Sequence, residues 1–378
     1  MKIVTQAAVL ASALSLVAAA VRSNSKVAAA IRFVAAEGSV TVTCSSPNIA
    51  VTAKVDADVI EPGQVAVVSD RLTALAAGFA TSAKIMISGA ETGMVTIEGG
   101  YSRSRLPVIP IDDLPTVLAI DGEIGHVEIS GADLLSLLSP LPAADTERTR
   151  FYLCGVFWQS VGDRLVAVST NGRRLIRTSV TASRFSEGRD LIVASETAAV
   201  LFRIIKSIKP GTVTLHRSRT LLAVTGPDFS FTSRLIASKF PEYEAVIPAA
   251  SPNTIICDRT ELLAALARLA AVATVEPPLL ALSFDSASQL QVFLARQPGD
   301  GRDAIDAETT GQALVAIPLG QLIDMVEEFR GDRLHIDAAS GQPLVLRGDD
   351  EKLALVMPSA WNFVDAAAPS RSTRERSS

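Results

Sequence analysis

The stretch AKIMISGAETGMVTIEGGYSRSRLPVI at residues 83–109 has a pattern of apolar and polar residues that occurs three times along the chain, and this recurrence indicates the fold. The similar stretches are GTVTLHRSRTLLAVTGPDFSFTSRLIA at 211–237 and DRLHIDAASGQPLVLRGDDEKLALVMP at 332–358. In each, apolar and polar residues alternate in short runs separated by Gly or Ser turns, which is typical of strands with one buried face. Recurrence at a spacing of about 125 residues indicates tandem repeats of one domain.

Helical runs recur with the same spacing. The runs that precede the three stretches are SDRLTALAAGF from Ser69, SETAAVLFRIIKSI from Ser195 and PLGQLIDMVEEF from Pro318. We expect Ser69 and Ser195 to be N-caps, because a serine hydroxyl accepts a hydrogen bond from an unpaired amide at the start of a helix. We expect Pro318 to be the first helical residue, because proline has no amide N–H that would remain unpaired there. The runs that open the repeats are residues 5–21, SGADLLSLLSPL from Ser130 and DRTELLAALARLAAVA from Asp258.

The sequence therefore predicts an α+β protein of three tandem domains, each with two helices packed on antiparallel sheets. We expect these domains at residues 1–119, 120–248 and 249–378.

The first two repeats also end in similar residues. Ser104-Arg105-Leu106 is followed by Leu114-Pro115, and Ser233-Arg234-Leu235 is followed by Phe240-Pro241. We interpret the two Ser-Arg-Leu segments as equivalent positions of the repeat.

The apolar run at residues 4–21 could be a secretion signal, a membrane anchor or the first helix of the first domain. A signal would have only Lys2 before it, and cleavage after Ala20 would remove a repeated element. A membrane span would contain Gln6, Ser12 and Ser15 in a run barely long enough to cross. We therefore expect a helix of a soluble core, preceded by a strand at MKIV.

Composition and charge restrict the function. The chain has 48% hydrophobic and 20% charged residues, as globular proteins do. Cys44, Cys154 and Cys257 are far apart and form no C-x-x-C pair, so we expect free thiols in a reducing cytoplasm. We find no nucleophile–base grouping, phosphate-binding loop or metal motif, and we predict no catalytic residue, no metal and no cofactor. The net charge of −5 weighs against binding nucleic acid by bulk charge.

Four motifs in the middle and last repeats resemble those of a known family. They are Phe151-Tyr152-Leu153, Thr170-Asn171-Gly172-Arg173-Arg174-Leu175, Lys239-Phe240-Pro241-Glu242-Tyr243 and Val356-Met357-Pro358. In this order, and within a threefold repeat, they resemble the bacterial sliding clamp, the beta subunit of DNA polymerase III. The resemblance covers essentially the whole chain. It implies a non-catalytic processivity subunit, in which two chains of three clamp domains close head to tail into a ring around duplex DNA.

Helices line the hole of the ring in that family and contact phosphates without reading the sequence. The resemblance implies basic residues concentrated on these helices, at Arg22, Arg71, Arg203 and Lys206. Arg148 and Arg150 are further candidates. Glu196 stands where the family often has a basic residue, so we expect weaker contact with DNA.

Partners of the family place a short extended peptide in an apolar cleft between the second and third domains. The implied partners are the DNA polymerase III alpha subunit, the clamp loader and repair polymerases. The resemblance assigns the cleft to Leu153, Thr170, Gly172, Arg174, Leu175, Pro241, Val246, Leu355, Met357 and Pro358. Aliphatic walls and a flexible methionine suit related Leu and Phe anchors. Without any ligand, Asn171-Gly172 is also explained as a hairpin turn, and the prolines as punctuation of strands.

Ring closure in the family joins the first domain of one subunit to the third domain of the other. The matching positions are Leu106 and Val108 on one side, and Ala271 and Val272 on the other. Because these side chains are small, we expect a weaker homodimer than is usual.

The C-terminus departs from the family, because the chain continues after Pro358 as SAWNFVDAAAPSRSTRERSS. We expect Trp361 or Phe363 to pack beside the cleft and residues 365–378 to be disordered.

Two other classes of function fit parts of the sequence. A clamp-derived peptide-binding protein that no longer closes a ring would fit the small interface residues and the altered C-terminus. An exported alanine-rich binding protein would fit the N-terminal run alone. We favour a clamp that binds double-stranded DNA in the cytoplasm and does not associate with membranes.

Overall fold

The computed structural model describes residues 1–18, 30–89, 93–120, 122–182, 190–285, 288–295, 301–348 and 351–360. Within these residues the order of elements recurs three times: a strand, a helix, further strands, a second helix and three closing strands. We call the three copies repeats 1, 2 and 3. This order confirms the predicted α+β fold of tandem two-helix domains.

Repeat 1 contains helices α1 (Ala7–Ala18) and α2 (Ser69–Ala77). Its strands are β1 (Lys2–Gln6), β2 (Ala30–Ala36), β3 (Ser39–Ser45), β4 (Ile49–Val55), β5 (Ala57–Glu61), β6 (Gly63–Val68), β7 (Lys84–Gly89), β8 (Met94–Gly99) and β9 (Ser102–Pro107). Repeat 2 contains helices α3 (Gly131–Leu138) and α4 (Ser195–Ile208). Its strands are β10 (Gly125–Ser130), β11 (Gly155–Val161), β12 (Arg164–Thr170), β13 (Arg174–Thr181), β14 (Leu191–Ala194), β15 (Thr212–Arg217), β16 (Leu221–Thr225) and β17 (Phe229–Arg234).

Repeat 3 contains helices α5 (Arg259–Val272) and α6 (Leu319–Glu327). Its strands are β18 (Thr254–Asp258), β19 (Leu279–Phe284), β20 (Gln289–Ala295), β21 (Arg302–Thr310), β22 (Ala313–Pro318), β23 (Arg333–Asp337), β24 (Leu344–Arg347) and β25 (Leu353–Val356).

The chain divides into two compact units by the density of its contacts. The first unit is Met1–Ser169 with Ser179–Phe240, and the second is Thr170–Thr178 with Pro241–Ser378. The part of β13 up to Thr178 therefore belongs to the second unit. The predicted domain boundaries at 119/120 and 248/249 lie between β9 and β10 and between β17 and β18, and they stay predictions.

The first unit contains two complete antiparallel sheets and part of a third. Their strand orders are β5-β1-β7-β8-β9, β10-β15-β16-β17-β4-β3-β2-β6 and β14-β11-β12. Helix α1 packs against α2, and α3 packs against α4. Leu10, Leu14 and Val17 of α1 are fully buried, so the N-terminal apolar run is the first core helix of repeat 1, as predicted. No helix in the described ranges is both long and apolar enough to cross a membrane.

The second unit contains one continuous series of strands, in the order β13-β25-β24-β23-β18-β21-β20-β19-β22. Helices α5 and α6 pack against each other. Alternate residues of β19 and β20, such as Leu280 and Val292, are fully buried on one face of the sheet.

The second helix of each repeat starts differently from the prediction. Ser69 and Ser195 are the first helical residues rather than N-caps, and Pro318 is the N-cap rather than the first helical residue. The reason is that β6, β14 and β22 run directly into these helices, so the last extended residue occupies the cap position. Side-chain caps occur instead on the opening helices. The Ser130 hydroxyl accepts from the Asp133 amide at 3.0 Å, and the Asp258 carboxylate accepts from the Glu261 amide at 2.8 Å.

The last strands of repeats 1 and 2 align differently from the prediction. The observed alignment differs by two residues from the one that equates the two Ser-Arg-Leu segments. Strand β9 ends with Pro107 opposite Met94, the first residue of β8. Strand β17 ends with Arg234 opposite Leu221, the first residue of β16. Pro107 is therefore the counterpart of Arg234, and the equivalence of the two Ser-Arg-Leu segments is wrong.

The turns do not cause this difference, because the two hairpins have the same connection. Gly99 lies opposite Ser102, and the Gly226 amide donates to the Phe229 carbonyl at 2.9 Å, so two residues form the turn in each. The Ser-Arg-Leu similarity therefore misaligns the strands by two residues, and alternation does not reveal this because a shift of two residues preserves the face of every side chain.

Burial distinguishes the three cysteines. It raises the pKa of all three thiols, and that of Cys44 and of Cys257 to about 12, but Cys154 is partly exposed and therefore accessible to a reagent. Because the thiolate is the reactive form, we expect an aromatic disulfide reagent at pH 8 to modify Cys154 in the native protein and all three cysteines after denaturation. Absorbance of the released thiol measures the reaction. Loss of the native-state reaction in Cys154→Ser is the control, and rapid modification of Cys44 or Cys257 in the native protein would contradict the burial.

Candidate functional site

All candidate cleft residues except Leu153 lie in the second unit. Leu153 belongs to the first unit, where it ends the 3-10 helix Arg148–Leu153 and is 6% exposed. Its carbonyl accepts from the Asp145 amide at 3.0 Å.

The hairpin that precedes β13 is held by its own polar groups. The Thr170 hydroxyl donates to the Arg174 carbonyl at 2.7 Å and accepts from the Gly172 amide at 3.1 Å. The Asn171 side-chain oxygen accepts from the amides of Arg173 and Arg174, both at 3.0 Å. Gly172 has φ +83°, which a residue with a side chain rarely adopts. The turn is therefore explained by its local hydrogen bonds, and it presents β13 in a defined position.

Strands β13 and β25 bring the apolar candidates together. Leu175 lies opposite Leu355, and both are 2% exposed. Met357 follows Leu355 by two residues, so it lies toward the same face of the sheet. The Met357 amide donates to the Arg173 carbonyl at 2.8 Å, which continues the pairing beyond the strand. Met357 is 42% exposed, an unusual fraction for a large apolar side chain.

The 3-10 turn Tyr243–Val246 is joined to these strands through Tyr243. Tyr243 is 5% exposed and hydrogen-bonds the side chain of Arg177, which lies two residues after Leu175 on the same side of β13 and opposite Leu353. Burial raises the pKa of Tyr243, so its hydroxyl stays neutral. Val246 at the end of the turn is 52% exposed. We call Leu175, Leu355, Met357 and Val246 the apolar face; Pro241 and Pro358, which are at least partly exposed, flank it in sequence.

Arg174 points away from the apolar face, because neighbouring residues of a strand project to opposite sides. Its Nη1 lies 2.7 Å from the Asp324 carboxylate on α6. Behind the same sheet, Lys352 Nζ donates to the Glu328 carbonyl at 2.6 Å. A carboxylate of a partner would therefore have to compete with Asp324 for Arg174. Asp324 was not among the residues predicted from the sequence, although it is the single acidic residue within the apolar run LGQLIDMV.

Two further residues expected beside the cleft, Trp361 and Phe363, lie outside the described residues, together with the tail at residues 365–378.

Repeats 1 and 2 form an equivalent junction with different side chains. There β4 pairs with β17, and the Arg234 amide donates to the Asn48 carbonyl at 3.0 Å, as Met357 does to Arg173. Thr232 lies opposite Ala50, in the places of Leu355 and Leu175. Arg234 replaces Met357, and its Nε donates to the Pro47 carbonyl at 3.0 Å. The repeated backbone geometry thus has the large apolar side chains at only one of these two junctions.

The candidate DNA-facing residues lie on helix surfaces. Arg71 is exposed on α2, and Arg203 and Lys206 are exposed on α4, while Arg22 lies outside the described residues. Arg203 Nε donates to the Ala199 carbonyl at 3.3 Å. Arg150 lies 3.0 Å from carboxylate oxygens of both Asp145 and Glu147.

The described helices carry no excess of positive charge. Their basic residues are Arg71, Arg203, Lys206, Arg259 and Arg268. Their acidic residues are Asp70, Asp133, Glu196, Glu261, Asp324 and Glu327. Over the described helices as a whole this balance indicates weak attraction of phosphates, and the DNA-facing roles of Arg71, Arg203 and Lys206 stay predictions.

Among the strand edges without a partner in the described residues, two concern the candidate interface, those of β9 and of part of β21. β9 is the last strand of its sheet and pairs along its length only with β8. On β21, residues 302–306 pair with β20, and residues 307–310 pair with β18 on the other edge. The edge of residues 302–306 that faces away from β20 has no strand partner among the described residues.

The candidate interface residues lie near these elements. Leu106 and Val108 are partly buried at the end of β9, and Ala271 and Val272 are exposed at the end of α5. Val272 is 52% exposed, so its burial by a partner would remove apolar surface from water.

Comparison with known proteins identifies similar chains. Models of the DNA polymerase III beta subunit match residues 1–118 as its N-terminal domain and residues 141–242 as its central domain, together more than half of this chain. The beta sliding clamp of Pseudomonas putida is 26% identical over 305 residues, which cover 79% of this chain and 82% of that protein.

Solved structures agree in fold. A DNA polymerase sliding clamp from Pseudomonas aeruginosa with ligand has a TM-score of 0.89 and 23% identity, and the match covers 96% of this chain and 100% of that chain. A sliding clamp from Bartonella birtlesii bound to griselimycin has a TM-score of 0.88 and 22% identity, with the same coverage.

Because Arg174 contacts Asp324 of α6, we expect this ion pair to contribute measurably to the free energy of unfolding. Replacing Asp324 by Ala removes the acceptor of a guanidinium that is 20% exposed, so we expect a loss of about 0.5–1 kcal/mol in unfolding free energy. Since Asp324 itself is 54% exposed, salt should reduce the difference. Urea denaturation at low and high salt measures it. Glu327→Ala changes the charge of the same helix by the same amount, and an equal loss in this control would exclude a specific contact.

Proposed function

We propose that this chain, which belongs to the DNA polymerase III beta subunit family, closes with a second copy into a ring around duplex DNA and tethers partner proteins by short peptides. Members of this family are sliding clamps, non-catalytic processivity subunits that act in DNA replication. The observation that carries the proposal is the repeated junction between successive repeats, because it leaves complementary open edges on repeats 1 and 3.

The two junctions within the chain have the same register. In the first unit, Ser233 of β17 lies opposite Ile49 of β4. In the second unit, Val356 of β25 lies opposite Arg174 of β13. In both, the last strand of one repeat pairs with the third strand after the opening helix of the repeat before it. By the same rule, β9 of repeat 1 should pair with β21 of repeat 3 in another copy, and head-to-tail pairing of this kind closes into a ring.

The repeat also suggests a register for this third junction. Thr52 of β4 corresponds to Arg302 of β21, because the cross-strand series Thr52, Thr43, Arg32, Ala66 matches Arg302, Phe293, Ala281, Ala316. With Pro107 as the counterpart of Arg234, the pairing of β17 with β4 would put Arg103 of one copy opposite Arg302 of the other, and Ser102 opposite Asp303. The two guanidiniums have other contacts: Arg103 lies 3.0 Å from Glu98, and Arg302 lies over the ring of Phe293. The strands differ in net charge, because β9 carries Arg103 and Arg105 whereas β21 carries Arg302 and three acidic residues, of which two are already paired, with Arg268 and Arg333. The three acidic residues are Asp303, Asp306 and Glu308.

Cross-linking tests this register. Directly opposite residues of antiparallel strands have Cα atoms about 4.5–5.5 Å apart, within the range of a disulfide. We expect the double variant Arg103→Cys/Arg302→Cys to form, on oxidation, a covalent species of about twice the 39.7 kDa chain mass in denaturing gels without reductant.

The matched control is Arg103→Cys/Asp306→Cys, which moves the second thiol about 14 Å along the strand and should remain uncross-linked. Single variants show the background from native cysteines. Equal cross-linking in the control would contradict the register. Light scattering across a dilution series then tests the ring itself: a dimer that dissociates on dilution supports it, and a monomer at every concentration would favour the clamp relative without ring closure.

The apolar face supports the tethering part of the proposal. It combines two buried leucines with the exposed side chains of Met357 and Val246, and apolar anchors of an extended peptide would cover these two. Thr170, Gly172 and Arg174 would frame one end of such a site, and Pro241 and Pro358 would flank it. The polymerase alpha subunit, the clamp loader and repair polymerases are the partners proposed for it, together with Leu153 as a further contact residue.

Peptide binding tests the apolar face directly. A fluorescent extended peptide with leucine and phenylalanine anchors should bind Met357→Lys and Val246→Asp at least about tenfold more weakly than the parent, because burial of an anchor against a charge is unfavourable. Fluorescence anisotropy measures the dissociation constants. Ile60→Asp on β5 is the matched control, since Ile60 is 54% exposed and lies in the first unit. Unchanged affinity in both site variants would refute the assignment.

DNA is proposed to be held by topology more than by charge. The described helices have balanced charge, so Arg71, Arg203 and Lys206 would make only local contacts with phosphates. Weak contact is compatible with a ring, because an enclosed duplex remains bound while it slides. The proposed location of the protein is the cytoplasm.

A further inference from the structure

The turn of the closing hairpin takes part in the junction between repeats 1 and 2. This turn consists of Pro227 and Asp228, which connect β16 to β17. The Lys54 amide, next to the last residue of β4, donates to the Asp228 carbonyl at 2.9 Å. The Lys54 side chain reaches along the same turn, and its Nζ donates to the Pro227 carbonyl at 3.1 Å. The pairing of β17 with β4 therefore continues by one residue into the turn.

Repeat 1 has the same turn with different side chains. Gly100 and Tyr101 connect β8 to β9, as Pro227 and Asp228 connect β16 to β17. Gly100 has φ +58°, as tight hairpin turns require. Tyrosine is an unusual residue in a position that favours Gly, Asn or Asp, and its large side chain is fully exposed in the single chain. The turn itself does not explain this side chain.

Tyr101 lies on a known side of its sheet. It lines a shallow depression on the protein surface together with Val4, Met86, Glu98 and Arg103. These four residues form one row across β1, β7, β8 and β9 and project from the same side of the sheet. Tyr101 is therefore on the side from which Arg103 projects.

The counterpart of Lys54 in repeat 3 is Ala304. It follows from the equivalence of Thr52 with Arg302, since both residues lie two positions further along their strands. The counterpart of Asp228 is Tyr101, because both are the second residue of the turn. In the proposed pairing of β9 with β21, Tyr101 of one copy thus comes to lie opposite Ala304 of the other.

The two pairs combine a long and a short side chain in opposite ways. At the observed junction the strand has the long side chain, Lys54, and the turn has the short one, Asp228. At the proposed junction the strand has the short side chain, Ala304, which is exposed, and the turn has the long one, Tyr101. The exposed alanine leaves room for a ring that approaches from a second copy.

The surroundings of Ala304 suit an aromatic ring. Arg302 projects from the same side of β21 two residues earlier, and its guanidinium lies 5.5 Å from the centroid of the Phe293 ring on β20. Residues of antiparallel strands also interact with the diagonal neighbour of their direct partner. A ring over Ala304 would have a methyl group beneath it and a guanidinium beside it, and both contacts are favourable for tyrosine.

We infer that Tyr101 of one copy packs over Ala304 and beside Arg302 of a second copy of this chain, and that this contact anchors the subunit interface. The inference rests on the proposed ring. Asp303, which alternates with Ala304, contacts Arg268 of α5 at 2.6 Å, so Tyr101 would bind the side of β21 that faces away from α5. It is thus a contact additional to the small residues at the end of α5, and a clamp chain with a long side chain in place of Ala304 would fit poorly.

Dimer dissociation constants test the role of Tyr101, with sedimentation of a fluorescent chain across a dilution series as the measurement. We expect Tyr101→Ala to dissociate at a concentration about tenfold higher or more, because tyrosine anchors contribute strongly to interfaces. Tyr101→Phe keeps the ring and should stay within about twofold of the parent. Ile60→Ala is the matched control, since Ile60 is an exposed apolar residue on β5, at the other edge of the same sheet. Thermal unfolding verifies that each variant is folded.

An exchange of the pair tests the complementarity of size. Tyr101→Asp removes the anchor, and Ala304→Lys fills the place that the ring would occupy, so each alone should weaken the dimer about tenfold or more. The double variant recreates the pair that Asp228 and Lys54 form within the chain. We expect it to dissociate at a concentration about fivefold lower or more than either single variant, whereas independent sites would show losses that add.

The outcomes separate this contact from the ring itself. Unchanged dissociation in Tyr101→Ala, or additive losses in the double variant, would overturn the role of Tyr101 and leave the ring standing. A disulfide between Arg103→Cys and Arg302→Cys in such a case would show that the strands pair without the aromatic anchor. A parent chain that is monomeric at every concentration would refute the ring, and the Tyr101 contact with it.

Discussion

The structure depends on one backbone interaction, the antiparallel pairing of the last strand of a repeat with the third strand after the opening helix of the repeat before it. Within the first unit this is the pairing of β17 with β4, and within the second it is the pairing of β25 with β13. Unpaired strand edges are a liability in soluble proteins, because their amides and carbonyls invite association. This rule leaves the outer edge of β9 and the edge of residues 302–306 in β21 without a strand partner among the described residues, and the proposed pairing with a second copy would satisfy both.

The two junctions share this backbone pairing and differ in a few side chains, which would determine the proposed function of each. The junction between β13 and β25 has leucines where the other has Ala50 and Thr232, and it has Met357 where the other has Arg234. Since the backbone hydrogen bonds are the same, the difference in chemistry belongs to the side chains alone. Arg234 contacts the Pro47 carbonyl, whereas Met357 is exposed and would offer a deformable apolar surface to the anchors of the proposed peptides.

The electrostatics agree with a protein that encloses its ligand. A net charge of −5 and helices on which acidic residues balance basic ones would be a disadvantage for a protein that binds DNA by attraction. Enclosure does not require strong attraction, and low affinity for phosphates reduces friction along the duplex. The same local cancellation of charge recurs at Arg150, which two carboxylates hold, and at Arg174, which Asp324 holds.

Local pattern in the sequence was sufficient for the repeats, the six helices of the described chain, the strand at the N-terminus and the strands that close each repeat, because alternation and helical periodicity record which side of each element is buried. The Asn-Gly hairpin before β13 was equally predictable, since its hydrogen bonds are local. Tertiary structure alone decided the strands between the two helices of each repeat, the alignment of repeat 1 with repeat 2, the helix caps at strand ends, and the orientation of Arg174 toward α6. Each of these depends on which distant strand or helix lies alongside. Periodicity contains no information about that choice, because a shift of two residues along a strand leaves every side chain on its original face.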